Sequence, residues 1–141
     1  MLLNTADCEA NHSRFVARVA ESEIVWALKN EDGYAVADSD DDPKRSVLLF
    51  WSDRAYAQRA ADAEFPDFQP STIALFDFLF RWLPGMSRQK DLAGTNWTGD
   101  LVGLELDPIE VQDQVTDSLT EDQCARFSEA LRQSIEEEHN G

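Results

Sequence analysis

Cys8, His12, Phe15, Val16 and Val19 recur at intervals of three and four, with Arg14 and Arg18 on the opposite side. That spacing predicts an amphipathic first helix ending near Glu21. The period then changes to two: Ile24, Trp26 and Leu28 alternate with Val25, Ala27 and Lys29, as a strand requires. Asp32-Gly33 predicts a tight turn into a second strand over residues 34–37. The run Val47-Leu48-Leu49-Phe50-Trp51 is apolar throughout, which predicts a central strand buried on both faces. The three strands read as an antiparallel meander.

Ser52 is the expected N-cap of a second helix, with Asp53 in its first turn, and the alanines at 55, 57, 60, 61 and 63 carry that helix to the break at Phe65-Pro66. Residues 69–74 suit a short strand. Leu75, Phe78, Leu79, Trp82 and Leu83 then mark a core helix that Pro84-Gly85 should stop or sharply kink. Residues 93–97 and 101–106 read as a second hairpin around Thr98-Gly99-Asp100. Asp107-Pro108 places an N-cap before a proline at the first helical position, launching a helix to Leu119. Thr120 to Gln123 form a capping box, after which Cys124, Phe127, Leu131 and Ile135 share one face of a last helix.

These elements predict an α+β fold: an antiparallel sheet of about five strands packed against helices, most of them on one face, with helices at the C-terminal end. At 141 residues, one domain over residues 1–141 is expected. No apolar run approaches the ~18 residues that cross a bilayer, and the opening MLLNTADC lacks the pattern of a signal peptide. Cys8 and Cys124 have no spacing that demands a bridge, so a reducing cytoplasm is the expected setting.

The net charge is −16 and unevenly placed: residues 100–141 carry twelve acids against Arg126 and Arg132. Such a field repels nucleic acids and anionic lipid, so neither is an expected partner. It matches a basic protein partner, or a salt-adapted source. The densest cluster, Asp38, Asp40, Asp41 and Asp42, fails as a helix-loop-helix calcium site, because Pro43 stands where the sharp turn needs glycine and Leu49 where a bidentate Glu belongs. A solvated turn is the expected outcome. Cys8, His12, Cys124 and His139 lack the paired spacing of a zinc site, so no metal or other cofactor is expected. No nucleophile elbow, phosphate loop or dinucleotide fingerprint occurs. Enzymatic activity is therefore not the leading expectation. The candidate binding residues are Trp51, Arg81, Asn96 and Trp97: aromatics at element ends, Trp97 beside Asn96 at an exposed hairpin tip, and an arginine on the polar side of the core helix.

The segments VWALKNEDGYAV, LLFWSDRAYA, ALFDFLFRWLPG and GTNWTGDLVGLELDP resemble the bacterial proteins grouped as domain of unknown function 2750, over about residues 12–119. Tyr34 stands where that pattern carries Trp, and residues 120–141 read as a helical extension outside it. The resemblance implies a small cytoplasmic α+β protein and carries over no catalytic or ligand residues. The leading functional expectation is a non-enzymatic acidic interaction protein, an immunity-type or regulatory binder of a basic partner. The alternatives are a small-ligand-binding protein with an aromatic-lined pocket and, third, a carboxylate-dependent hydrolase. Sequence alone leaves the oligomeric state open.

Overall fold

The computed structural model of the chain describes residues 5–140. The order is α1 (Thr5–Ser22), β1 (Ile24–Asn30), β2 (Gly33–Tyr34), β3 (Val36–Asp38), β4 (Ser46–Phe50), α2 (Arg54–Glu64) and β5 (Gln69–Ala74). Then come α3 (Leu75–Asp77), a π turn over Phe78–Trp82, α4 (Leu83–Gln89), β6 (Leu92–Thr95), β7 (Glu105–Leu106), α5 (Pro108–Asp117) and α6 (Glu121–Asn140).

The class is α+β, and the strands form two sheets instead of the expected single antiparallel sheet of about five. One sheet runs β2-β1-β5 and another β3-β4-β6-β7, in which β4 and β6 are parallel. A parallel pair needs a long crossover, and here α2, β5 and the α3 to α4 helix supply it. The expected second strand divides because Ala35 lies between β2, which pairs with β1, and β3, which pairs with β4. A single bridge links the two sheets: Trp26 and Trp51 exchange main-chain hydrogen bonds of 2.8 and 2.7 Å.

Alternation along β1 and β4 builds two cores. Val25, Ala27 and Phe50 face a layer made by Phe15 and Val19 of α1, Phe78, Leu79, Leu83 and Met86 of the core helix, and Val111 and Val115 of α5. Leu28, Val47, Leu49 and Trp51 face the other way, onto Ala57, Ala60 and Ala61 of α2. Alanines let α2 approach closely enough to bury Trp51 completely. The helices thus lie mostly on one face, with α2 alone on the other, and the apolar β4 is buried on both.

Pro84 does not end the core helix. The Leu83 amide donates to Phe78, five residues back, and Pro84 has no N–H, so the Leu79 carbonyl has no partner in its own helix. The Gln112 side-chain amide reaches across from α5 and donates to it at 2.6 Å. The stop comes at Lys90, whose left-handed backbone (φ 63°) returns its N–H to Met86 and Ser87. Ser52 is likewise not the N-cap of α2. Asp53 holds that position without capping, because its carboxylate is turned to Arg18 and Ser52.

At α5 and α6 the local signals hold: the Asp107 side chain accepts from the Ile109 amide, and Thr120 and Gln123 exchange the two bonds of a capping box. The acidic segment is a turn. Ser39 accepts from the amides of Asp41 and Asp42, and the Asp40 amide donates to Glu105.

Candidate functional site

β6 ends at Thr95, and the next residue, Asn96, turns left-handed (φ 49°), a conformation its short polar side chain tolerates. Its carboxamide is fully used. The oxygen accepts from the Ser52 amide at 2.8 Å, while the nitrogen donates to Ser52 Oγ at 3.0 Å and to the Asn11 carbonyl at 3.2 Å. Asn96 therefore ties the ends of β6 and β4 to α1.

Trp97 follows, and its carbonyl accepts from the Trp51 indole. Its own ring is wedged between Gly94 and Gly103, where an added Cβ would come within 2.7 and 2.1 Å of ring atoms, and its N–H donates to Leu104. Only glycine fits at those two positions. Trp97 is thus 7% exposed, which corrects the expectation of an exposed tip: the hairpin loop folds back over the ring instead of presenting it.

Beside this floor lies a half-open cleft of about 290 Å³, lined by Asn11, Arg14, Tyr56, Arg59, Asn96, Trp97, Thr98 and Gly99. Arg14 comes from α1 and donates to Asn11 Oδ1 at 3.1 Å. Arg59 comes from α2, its stem packed near Gly99 and its guanidinium over the Tyr56 ring, 5.7 Å from the ring centre. Arg18 also lies over that ring at 5.8 Å, but it is paired with Asp53 at 2.6 Å. Burial pushes the Asp53 carboxyl up, yet the hydrogen bonds from Ser52 and Arg18 and the charges of Arg18 and Arg14 outweigh it, so Asp53 lies below its ordinary range. Among the described residues no carboxylate lines the cleft.

The structure brings together three of the four sequence candidates, Trp51, Asn96 and Trp97. Arg81 stands apart, 62% exposed, bonded to Asp77 at 2.9 Å and lying over Phe76. The other cleft residues, Asn11, Arg14, Tyr56, Arg59, Thr98 and Gly99, were not singled out by sequence reasoning. Their local patterns, polar residues on the outer faces of two helices and in a turn, look like ordinary solvated surface.

Cys8 and His12 are buried at the α1 interface. The His12 ring bonds Thr95 Oγ1 through Nδ1 at 2.7 Å and Gln114 Oε1 through Nε2, as a satisfied core histidine. Among the described residues no three His, Cys, Asp or Glu side chains are grouped to hold a metal; the His139 side chain lies outside those described. No helix among them is long and apolar enough to cross a membrane.

A family profile described as a protein of unknown function (DUF2750) matches residues 12–115, which runs from mid-α1 into the last turn of α5 and leaves α6 outside. No curated protein matches the chain.

Proposed function

Because the chain belongs to the DUF2750 family, whose description assigns no activity, we propose a function from the site itself: a binding protein for a small anionic molecule, held between Arg14 and Arg59. One observation carries this. On a chain of net charge −16, two arginines without an ion-pair partner among the described residues face one cleft that no described carboxylate lines. The volume lies near the ~300 Å³ lower end of small-molecule pockets, so the ligand is small. The lining side chains are guanidinium, phenol, amide and hydroxyl donors and an indole, with no histidine or carboxylate among the described ones. Binding rather than acid–base chemistry suits that set. A cytoplasmic setting belongs to the same reading, supported by the free thiols of Cys8 and Cys124.

Titration with sodium sulfate, followed by amide NMR, tests it. Saturable shifts at Asn11, Thr98 and Gly99, lost in the Arg14→Gln/Arg59→Gln double variant, are expected. Absent shifts, or shifts that survive in the double variant, would overturn the assignment.

A second reading keeps the acidic surface as a dock for a basic protein. Glu110, Asp113, Asp117 and Glu121 are all exposed on α5 and α6, while Arg126 and Arg132 are occupied by Glu23 and Glu129. Opposite charge would chiefly speed encounter. A lysine-rich peptide should then shift amides of α5 and α6 alone and lose that effect on charge reversal at the four acids. Shifts spread evenly over the chain would reduce the acidity to solvation.

A further inference from the structure

Resting on the anion-site reading of the Arg14–Arg59 cleft, we propose that its ligand class is a small phosphate monoester, bound as the dianion. Charge comes first. Of the three arginines in and beside the cleft, Arg18 is paired with Asp53, whose carboxylate also accepts from Ser52 at 2.6 Å. Arg14 hydrogen-bonds a neutral amide oxygen and only senses the Asp53 carboxylate through its charge, and Arg59 lies over an aromatic ring. Two positive charges are left without an ion-pair partner among the described residues. A monocarboxylate would match one of them, and a phosphate dianion matches both.

Shape points the same way. The two arginines stand on different walls, α1 and α2, and the third side of the cleft is the loop carrying Thr98 and Gly99. Thr98 Oγ1 accepts from the Val102 amide and keeps its own proton to donate, and the Gly99 amide has no partner among the described residues. A tetrahedral head has three oxygens to distribute over three walls, whereas a carboxylate has two in one plane.

Both rings of the cleft are already engaged, Tyr56 by guanidinium groups and Trp97 by Gly94, Gly103 and Leu104. Selectivity therefore falls on the anionic head rather than on stacking. Asn96, with both amide hydrogens and its oxygen committed, is a positioning residue: it holds the floor and the Asn11 end of α1. The surrounding acidity repels nucleic acid and anionic membranes, which leaves small soluble esters.

Calorimetry of the full chain at low salt would compare sn-glycerol 3-phosphate with glycerate, which differ mainly in the head. At pH 7.5 the phosphate should bind at least roughly tenfold more tightly. Its advantage should shrink as pH falls through the second phosphate ionisation near ~6. Arg14→Gln and Arg59→Gln should each weaken phosphate binding by about tenfold while melting temperatures stay unchanged, since both side chains are exposed. Equal, arginine-dependent binding of the two compounds would overturn the phosphate class and leave the anion site standing. Failure of both to bind, or binding indifferent to both substitutions, would overturn the site as well. Vesicles containing phosphatidic acid carry the same head on a lipid, and sedimentation of the protein with them would overturn the soluble ester as its source.

Discussion

Trp51 donates its indole N–H to the main-chain oxygen of Trp97 at 2.9 Å. The bond joins the end of β4 to the loop after β6, inside the core that α2 covers, and with Asn96 it fixes the floor of the arginine cleft. Trp51→Phe should leave that buried oxygen unpaired and a void beside Ala57. A loss of about 2 to 4 kcal/mol is expected from the two effects together. Urea unfolding measures it, and a loss under about 0.5 kcal/mol would mean that the loop finds another donor.

The Leu79 carbonyl sets a second test. Gln112→Ala removes the side-chain donor to it and should cost about 1 to 2 kcal/mol, although Gln112 is a half-buried residue of a different helix. Leu79→Ala, in the main core, should cost about 2 to 5 kcal/mol. Asp41→Ala, in the exposed turn, should be neutral or slightly stabilising through relief of like-charge repulsion. Equal denaturation midpoints for the three variants would contradict the helix register described here.

Much of this fold is legible in the sequence because its signals are local. The capping box at Thr120 and Gln123, the Asp107-Pro108 start and the two-faced burial of Val47 to Trp51 each follow from periodicity or from one side chain reaching its own backbone. What was not legible depends on partners far along the chain. Pro84 reads as a stop because its missing N–H is a local fact; the Gln112 side chain that compensates lies 33 residues away from the carbonyl it serves. Ser52 reads as a cap until Asn96, 44 residues on, claims its amide and hydroxyl. The parallel β4–β6 pair is nonlocal in the same sense. The cleft failed to show for a related reason: Arg14 and Arg59 become a pair only when α1 and α2 flank the same loop, and on each helix alone either one is ordinary surface.

Acid should dissect the contact between α1 and α6. The hydrogen bond from Arg126 and then that from Gln123 hold the Glu23 carboxyl below its ordinary value, against a smaller opposing effect of burial. A carboxyl lowered in the folded state adds stability that is complete above the unfolded value near ~4.3. That stability disappears as pH falls through the lowered folded value. Wild type should therefore exceed Glu23→Gln at pH 7 by roughly 0.5 kcal/mol, since both partners are partly solvated. The gap should close toward pH 3. A gap that persists or widens in acid would assign the effect to packing of the side chain instead of its charge.

The last prediction concerns how much of α6 the fold uses. Its first two turns are anchored: Gln123 donates to the Ala20 carbonyl at 2.7 Å, and Phe127 is 8% exposed with its ring edge-on to Phe76 and Phe80. Beyond Leu131 the apolar stripe loses its cover, and Ile135 is 49% exposed. Phe127→Ala should thus cost about 3 kcal/mol through lost burial and ring contacts. Ile135→Ala should be neutral or gain a few tenths of a kcal/mol, because alanine is the better helix former where nothing packs. Both follow from thermal or urea unfolding at several protein concentrations. Should Ile135→Ala cost more than about 1 kcal/mol, with a melting temperature that rises with concentration, the distal stripe is covered in solution by a second copy of the chain. A cost independent of concentration would instead mean that α6 folds back onto its own domain.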